Sequence, residues 1–103
     1  MIEDIYRKSD KRTGLKSFVI PKCGLYRLSR SNGMVHSITM GNVGTFPAVK
    51  LYDSFGEIYL CPQSFMTGSF YIVAGFKDYL ILEVFAGDGG LPPQMSVNYR
   101  DKE

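Results

Sequence analysis

Residues 79–85 read Tyr-Leu-Ile-Leu-Glu-Val-Phe, the longest nearly unbroken apolar run in the chain. Seven residues fall far short of the roughly 20 that a helix needs to cross a membrane. Their β-branched and aromatic content, bounded by Lys77-Asp78 and by Gly87-Asp88-Gly89-Gly90, predicts a β-strand. Period two places Leu80, Leu82 and Val84 on one face and Tyr79, Ile81, Glu83 and Phe85 on the other. Both faces are largely apolar, so this strand should be central and covered twice, by a second sheet and by something else.

The rest of the chain supplies neighbours of the same kind. At 103 residues it makes one domain that buries about 65% of its unfolded surface. Eleven Gly and five Pro, scattered between short apolar runs, predict an all-β chain with many turns. Strands are expected over 16–20, 23–30, 34–40, 48–52, 57–61, 69–74, 79–85 and 94–100, with Val49, Leu51, Ile58 and Leu60 inward. Asn32-Gly33 favours a type I′ hairpin, so 34–40 should return antiparallel to 23–30, with Met34, His36, Ile38 and Met40 sharing a face. Asp53-Ser54-Phe55-Gly56 predicts a second turn, and the segments at 41–47, 62–68 and 87–93 read as loops. No stretch has a helical period, and there is no internal repeat. About eight strands at this spacing predict an antiparallel β-sandwich of jelly-roll type over 16–103.

Residues 1–15 lack sustained periodicity and read as an extended arm, ordered only if something holds it. The charge is uneven. Residues 1–30 hold eight Lys or Arg against three acids, whereas residues 31–103 hold four against seven, within a net charge of +2. That balance argues against nucleic acid as a partner and directs the arm, through Arg7, Lys8, Lys11 and Arg12, to an acidic protein surface. Ile2, Ile5 and Tyr6 add an apolar anchor. Removing residues 1–14 is expected to leave the melting temperature nearly unchanged while weakening attachment to a larger particle or to a neighbouring subunit. The first residues lack the apolar core of a secretion signal, which predicts synthesis in the cytoplasm.

Residue chemistry offers no catalytic constellation. His36 is the sole histidine and has apolar strand neighbours, which reads as a rim or satisfied core residue. Asp53, Asp78, Asp88 and Glu83 stand singly, so neither a carboxylate pair nor a calcium site is assembled. Cys23 and Cys61 are far apart and read as thiols used as small apolar residues, with too few ligands for zinc. No cofactor or metal is expected. The outward positions carry more information. Tyr52, Tyr59, Tyr71 and Tyr79 alternate with inward aliphatics, which is either β propensity or a contact surface. Together with Ile81 and Phe85 they form the expected self-association surface, and sugar recognition would use the same rings.

Several stretches resemble small β-sandwich virion proteins of tailed bacteriophages, of the head decoration or cement type. They are Asn32-Gly33, Gly41-Asn42-Val43-Gly44-Thr45, Val49-Lys50-Leu51-Tyr52-Asp53, Thr67-Gly68-Ser69-Phe70, Gly75-Phe76-Lys77-Asp78 and Val97-Asn98-Tyr99-Arg100. The chain departs from that pattern at Tyr79, where a small residue is usual, and in carrying Cys23 and Cys61. The resemblance implies a non-enzymatic structural protein of the virion, made in the host cytoplasm, that decorates a capsid as a symmetric oligomer such as a homotrimer. Its partners would be itself and a major capsid protein. A carbohydrate-binding module of a tail or fibre is the alternative.

Overall fold

The computed structural model describes residues 1–40, 49–61, 68–85 and 95–102. The expected loops at 41–47 and 87–93, with Asp88, and the expected 62–68 loop apart from Gly68 lie outside the described residues, as do the side chains of Met40, Cys61, Ser69 and Phe70. The described residues form nine strands: β1 (Ile2–Asp4), β2 (Lys16–Val19), β3 (Gly24–Ser29), β4 (Gly33–Met40), β5 (Val49–Asp53), β6 (Gly56–Cys61), β7 (Gly68–Phe76), β8 (Leu80–Val84) and β9 (Met95–Asp101). They make two sheets, ordered β1-β3-β8-β5-β6 and β2-β9-β4-β7. The chain is therefore all-β, with the core between the sheets. β8 is the middle strand of its sheet, as its sequence demands.

Alternation builds the core. Phe18, Tyr26, Leu28, Leu51, Leu80, Leu82, Val97 and Tyr99 are all buried between the sheets. Each large apolar side chain removed from water contributes about 1.5–3 kcal/mol. The two buried tyrosines still need a partner for the phenol, and each donates to a backbone carbonyl, Tyr26 to Lys22 at 2.7 Å and Tyr99 to Leu28 at 2.9 Å. The second cover expected for β8 comes from its own sheet. Ile81 lies across from Arg27 on β3 and Tyr52 on β5, and is only 7% exposed.

The Asn32-Gly33 hairpin is corrected. β3 and β4 lie in different sheets, and neither Asn32 nor Gly33 has a positive φ. The turn instead carries the chain across the sandwich. Asn32 Oδ1 accepts from the Asp78 amide at 2.9 Å, and the Asn32 carbonyl accepts from the Lys102 amide at 3.2 Å. Gly33 is required by packing, because a Cβ there would strike the Arg100 carbonyl oxygen and the Phe76 ring. The neighbouring β5–β6 turn is a hairpin as expected. Buried Asp53 holds it, accepting from the amides of Phe55 and Lys77 at 2.9 Å each.

Two face assignments are corrected by bulges. On β4, the register with both neighbours shifts between Val35 and Ser37, so Val35 and Ile38 both face the core while Met34 is 47% exposed. Against β9 His36 is the extra residue, whereas against β7 it stands opposite two residues, Ile72 and Val73. On β6, the shift leaves Ile58 unpaired and sets Tyr59 opposite Leu51, so Tyr59 packs on the core and Leu60 is 51% exposed. One inserted residue reverses every later side chain in a period-two strand.

The arm does not stand apart from the sandwich. β1 pairs in parallel with β3, Ile2 opposite Leu25 and Asp4 opposite Arg27, and the Ile5 amide donates to the Arg27 carbonyl at 2.9 Å. Near the opposite end of the segment, Lys16 turns inward and reaches Asp101 at 2.8 Å, with both side chains buried.

Candidate functional site

The six residues expected to form one contact surface occupy four places. Tyr52, Tyr79 and Ile81 lie on the outer face of the five-stranded sheet. There Ile81 and Tyr79 line a cleft of about 380 Å³ with Arg27, Arg30 and Asp78. Phe85, just beyond β8, is 40% exposed, and its carbonyl accepts from the exposed Cys23 thiol at 3.1 Å. Tyr59 is turned to the core. Tyr71 stands on the far side of the molecule, on the outer face of the four-stranded sheet, and is 73% exposed. A single tyrosine face is thus not formed.

The outer face of the four-stranded sheet has an organisation of its own. Ser17 on β2 donates to Asn98 Oδ1 at 2.7 Å, and Asn98 Nδ2 donates to Ser37 Oγ at 3.0 Å and to Thr39 Oγ1 at 3.1 Å. Ser37 Oγ lies 2.8 Å from His36 Nδ1, and the His36 ring meets Tyr71 edge-on at 5.4 Å. An uncharged row therefore crosses β2, β9, β4 and β7 and ends on an exposed phenol ring. Ser37 is 4% exposed and already accepts from Asn98, so the His36–Ser37 pair serves this row and presents no open nucleophile. Alternate polar positions on each strand were visible in the sequence. Their alignment into one row depends on the register between strands distant in sequence.

The second surface is the edge where β1 meets β3. Asp4 spans two guanidinium groups, Arg27 at 3.3 Å and Arg30 at 2.9 Å. Ile5 packs against the core and Ile2 is half-buried, whereas Tyr6, Lys8, Lys11 and Arg12 are exposed. Arg7 lies over the Phe18 ring at 5.8 Å from its centre. The residues assigned to docking on another particle are thus divided. Ile2 and Ile5 anchor the chain to itself, and the exposed cations face solvent.

Two phenols are held from ionising. Burial raises the Tyr26 hydroxyl above its ordinary range, reinforced by the negative charge of Glu3, and burial followed by Glu83 and Tyr79 does the same for Tyr52. Among the described residues, no three His, Cys, Asp or Glu side chains are grouped as a metal site would require. No described helix is long and apolar enough to cross a membrane. Comparison with protein-family models and with curated proteins finds no match to this chain.

Proposed function

We propose that this chain is a structural binding module of a virion, a jelly-roll sandwich that decorates or cements a capsid as a homo-oligomer, a homotrimer, seated on a major capsid protein. The observation that carries this reading is the strand order. Apart from β1, the sheets run β2-β9-β4-β7 and β3-β8-β5-β6, and consecutive strands change sheet at every step except the β5–β6 hairpin. That order supports two wound Greek keys, and double-sheet jelly rolls recur in viral capsid and lectin domains. The fold alone does not carry a function. Exposed apolar groups supply contact area, since Leu60, Tyr71 and Val73 flank the side where edge strands β6 and β7 meet.

Co-sedimentation of the purified protein with capsid shells that lack it tests this reading. Saturable binding at micromolar concentration is expected, and none at a hundredfold higher concentration overturns it. A second reading, a carbohydrate-binding module, is favoured by the uncharged row ending on Tyr71. Sugars are held by an aromatic face with nearby amide and hydroxyl groups, and this row offers both. Glycan binding lost in Tyr71→Ala would support it.

A further inference from the structure

The geometry points to the outer edge of β3 as a strand-acceptor site that takes residues 2–5 of a second copy of this chain, the two copies exchanging β1 reciprocally. In one copy the site is filled by the chain's own arm, whose contacts show what the site recognises. Backbone pairing runs from Ile2 to Asp4 and adds the Ile5 amide. Specificity comes from side chains. The Asp4 carboxylate is shared between Arg27 and Arg30, Ile5 packs on the core, and Ile2 is half-buried opposite Leu25. Strand addition at a sheet edge works in this way, with main-chain bonds for affinity and alternate side chains for selection.

The connector makes exchange feasible. Residues 6–15 link the β3 edge of one sheet to Lys16 at the start of β2 in the other. Packed sheets lie about 10 Å apart, whereas ten extended residues reach about 33–36 Å, the full width of a molecule measuring 35 × 31 × 20 Å. The surplus length is taken up in a local turn. The Gly14 amide donates to the Asp10 carbonyl at 2.7 Å, the Asp10 amide to the Leu15 carbonyl at 2.8 Å, and the Arg12 amide to Asp10 Oδ1 at 2.7 Å. Opening that turn lets the arm reach the same edge on a neighbour. A three-residue strand at a sheet edge belongs to the low-stability end of a structure, so it opens more readily than the core strands. Reciprocal exchange then restores every β1 contact, which is why swapping is a low-cost route to a dimer. The arm in its own chain competes at an effective concentration of about millimolar, so exchange is favoured when copies are concentrated. The exchanged pair forms at the β3 edge, apart from the β6–β7 side that offers contact area for the proposed homotrimer, so it neither requires nor builds that trimer.

Charge reversal in full-length chains tests it. Asp4→Arg spoils the arm, and the double variant Arg27→Asp/Arg30→Asp spoils the acceptor, so each variant is mismatched with itself. In a mixture, each arm matches the other's acceptor. Native mass spectrometry with one variant ¹⁵N-labelled is expected to show a one-to-one heterodimer enriched about tenfold over either homodimer, the ratio that about 1.4 kcal/mol of restored complementarity produces. A mixture of separate monomers, each retaining the β-sheet circular dichroism, overturns the proposal. If either variant fails to fold, half-labelled wild-type protein at millimolar concentration decides the matter. Isotope-filtered nuclear Overhauser contacts between Ile2 of one copy and Leu25 of another are expected. Contacts confined within one copy overturn the exchange.

Discussion

Tyr26 is buried with its phenol donated to the Lys22 carbonyl, and its hydroxyl titrates above its ordinary value of 10.0 in the folded chain. Between that value and the raised one, the folded state keeps a proton that the unfolded state has lost. The stabilising contribution is therefore complete below about pH 10 and disappears as pH rises through the folded value. Tyr26→Phe is expected to cost about 0.5–1.5 kcal/mol at neutral pH and to flatten the alkaline part of the stability profile, measured by denaturant melts from pH 8 to 11. Lys16 and Asp101 make a second residue-scale test. Lys16→Met leaves a carboxylate buried beside an apolar group and is expected to cost about 3–5 kcal/mol, whereas the double substitution with Asp101→Leu should recover most of that loss. Core aliphatics such as Leu51, Leu80 and Leu82 were readable from alternation alone. Lys16 was not, because a charged residue is assigned outward unless its partner, here 85 residues further on, is known.

Bulges decide which face a side chain takes, and they are set between strands. Tyr59 and Leu60 exchange roles through the irregular β5–β6 register, so Tyr59→Ala is expected to destabilise by about 3 kcal/mol and Leu60→Ala by less than 1. Equal effects in chemical denaturation would restore the simple alternation that places Leu60 inward. On β7, Val73 sits at φ 48°, a left-handed conformation that is rare for a β-branched residue, with its side chain 61% exposed. Such strain costs about 1–3 kcal/mol, and glycine's flexibility in the unfolded chain offsets part of the relief. Val73→Gly is thus expected to raise stability by about 1 kcal/mol, seen as a higher melting temperature. All eight expected strands appear, since hydrophobic period and Gly/Pro punctuation are local signals. The ninth, β1, falls in the arm that the sequence leaves ordered only if something holds it, because three residues carry no period. Its order comes from β3.

The molecule as a whole is held at one end by a set of turn contacts and at one edge by the arm. The arm's place revises the expectation that its removal leaves the melting temperature nearly unchanged. Deleting residues 1–5 removes three residues of pairing, two exposed ion pairs worth about 0–1 kcal/mol each and the partial burial of Ile2 and Ile5. A net loss of about 1–2 kcal/mol is expected, lowering the melting temperature by about 4–8 °C per kcal/mol. An unchanged midpoint in differential scanning calorimetry would show that β1 contributes no net stability. The amino-acid sequence by itself determined the strand content, the central position of β8, the β5–β6 hairpin and most of the core, because these rest on period, length and turn chemistry within a few neighbouring residues. Only the tertiary structure decided that Asn32-Gly33 crosses between sheets, that Tyr59 points inward, that the outward Tyr71 lies on the opposite sheet from Tyr52 and Tyr79, and that Ser17, Ser37 and Asn98 align in one row. Each of these depends on how strands pair, across one short hairpin for Tyr59 and between strands tens of residues apart for the others, and a one-residue shift costs little locally yet reverses every side chain that follows.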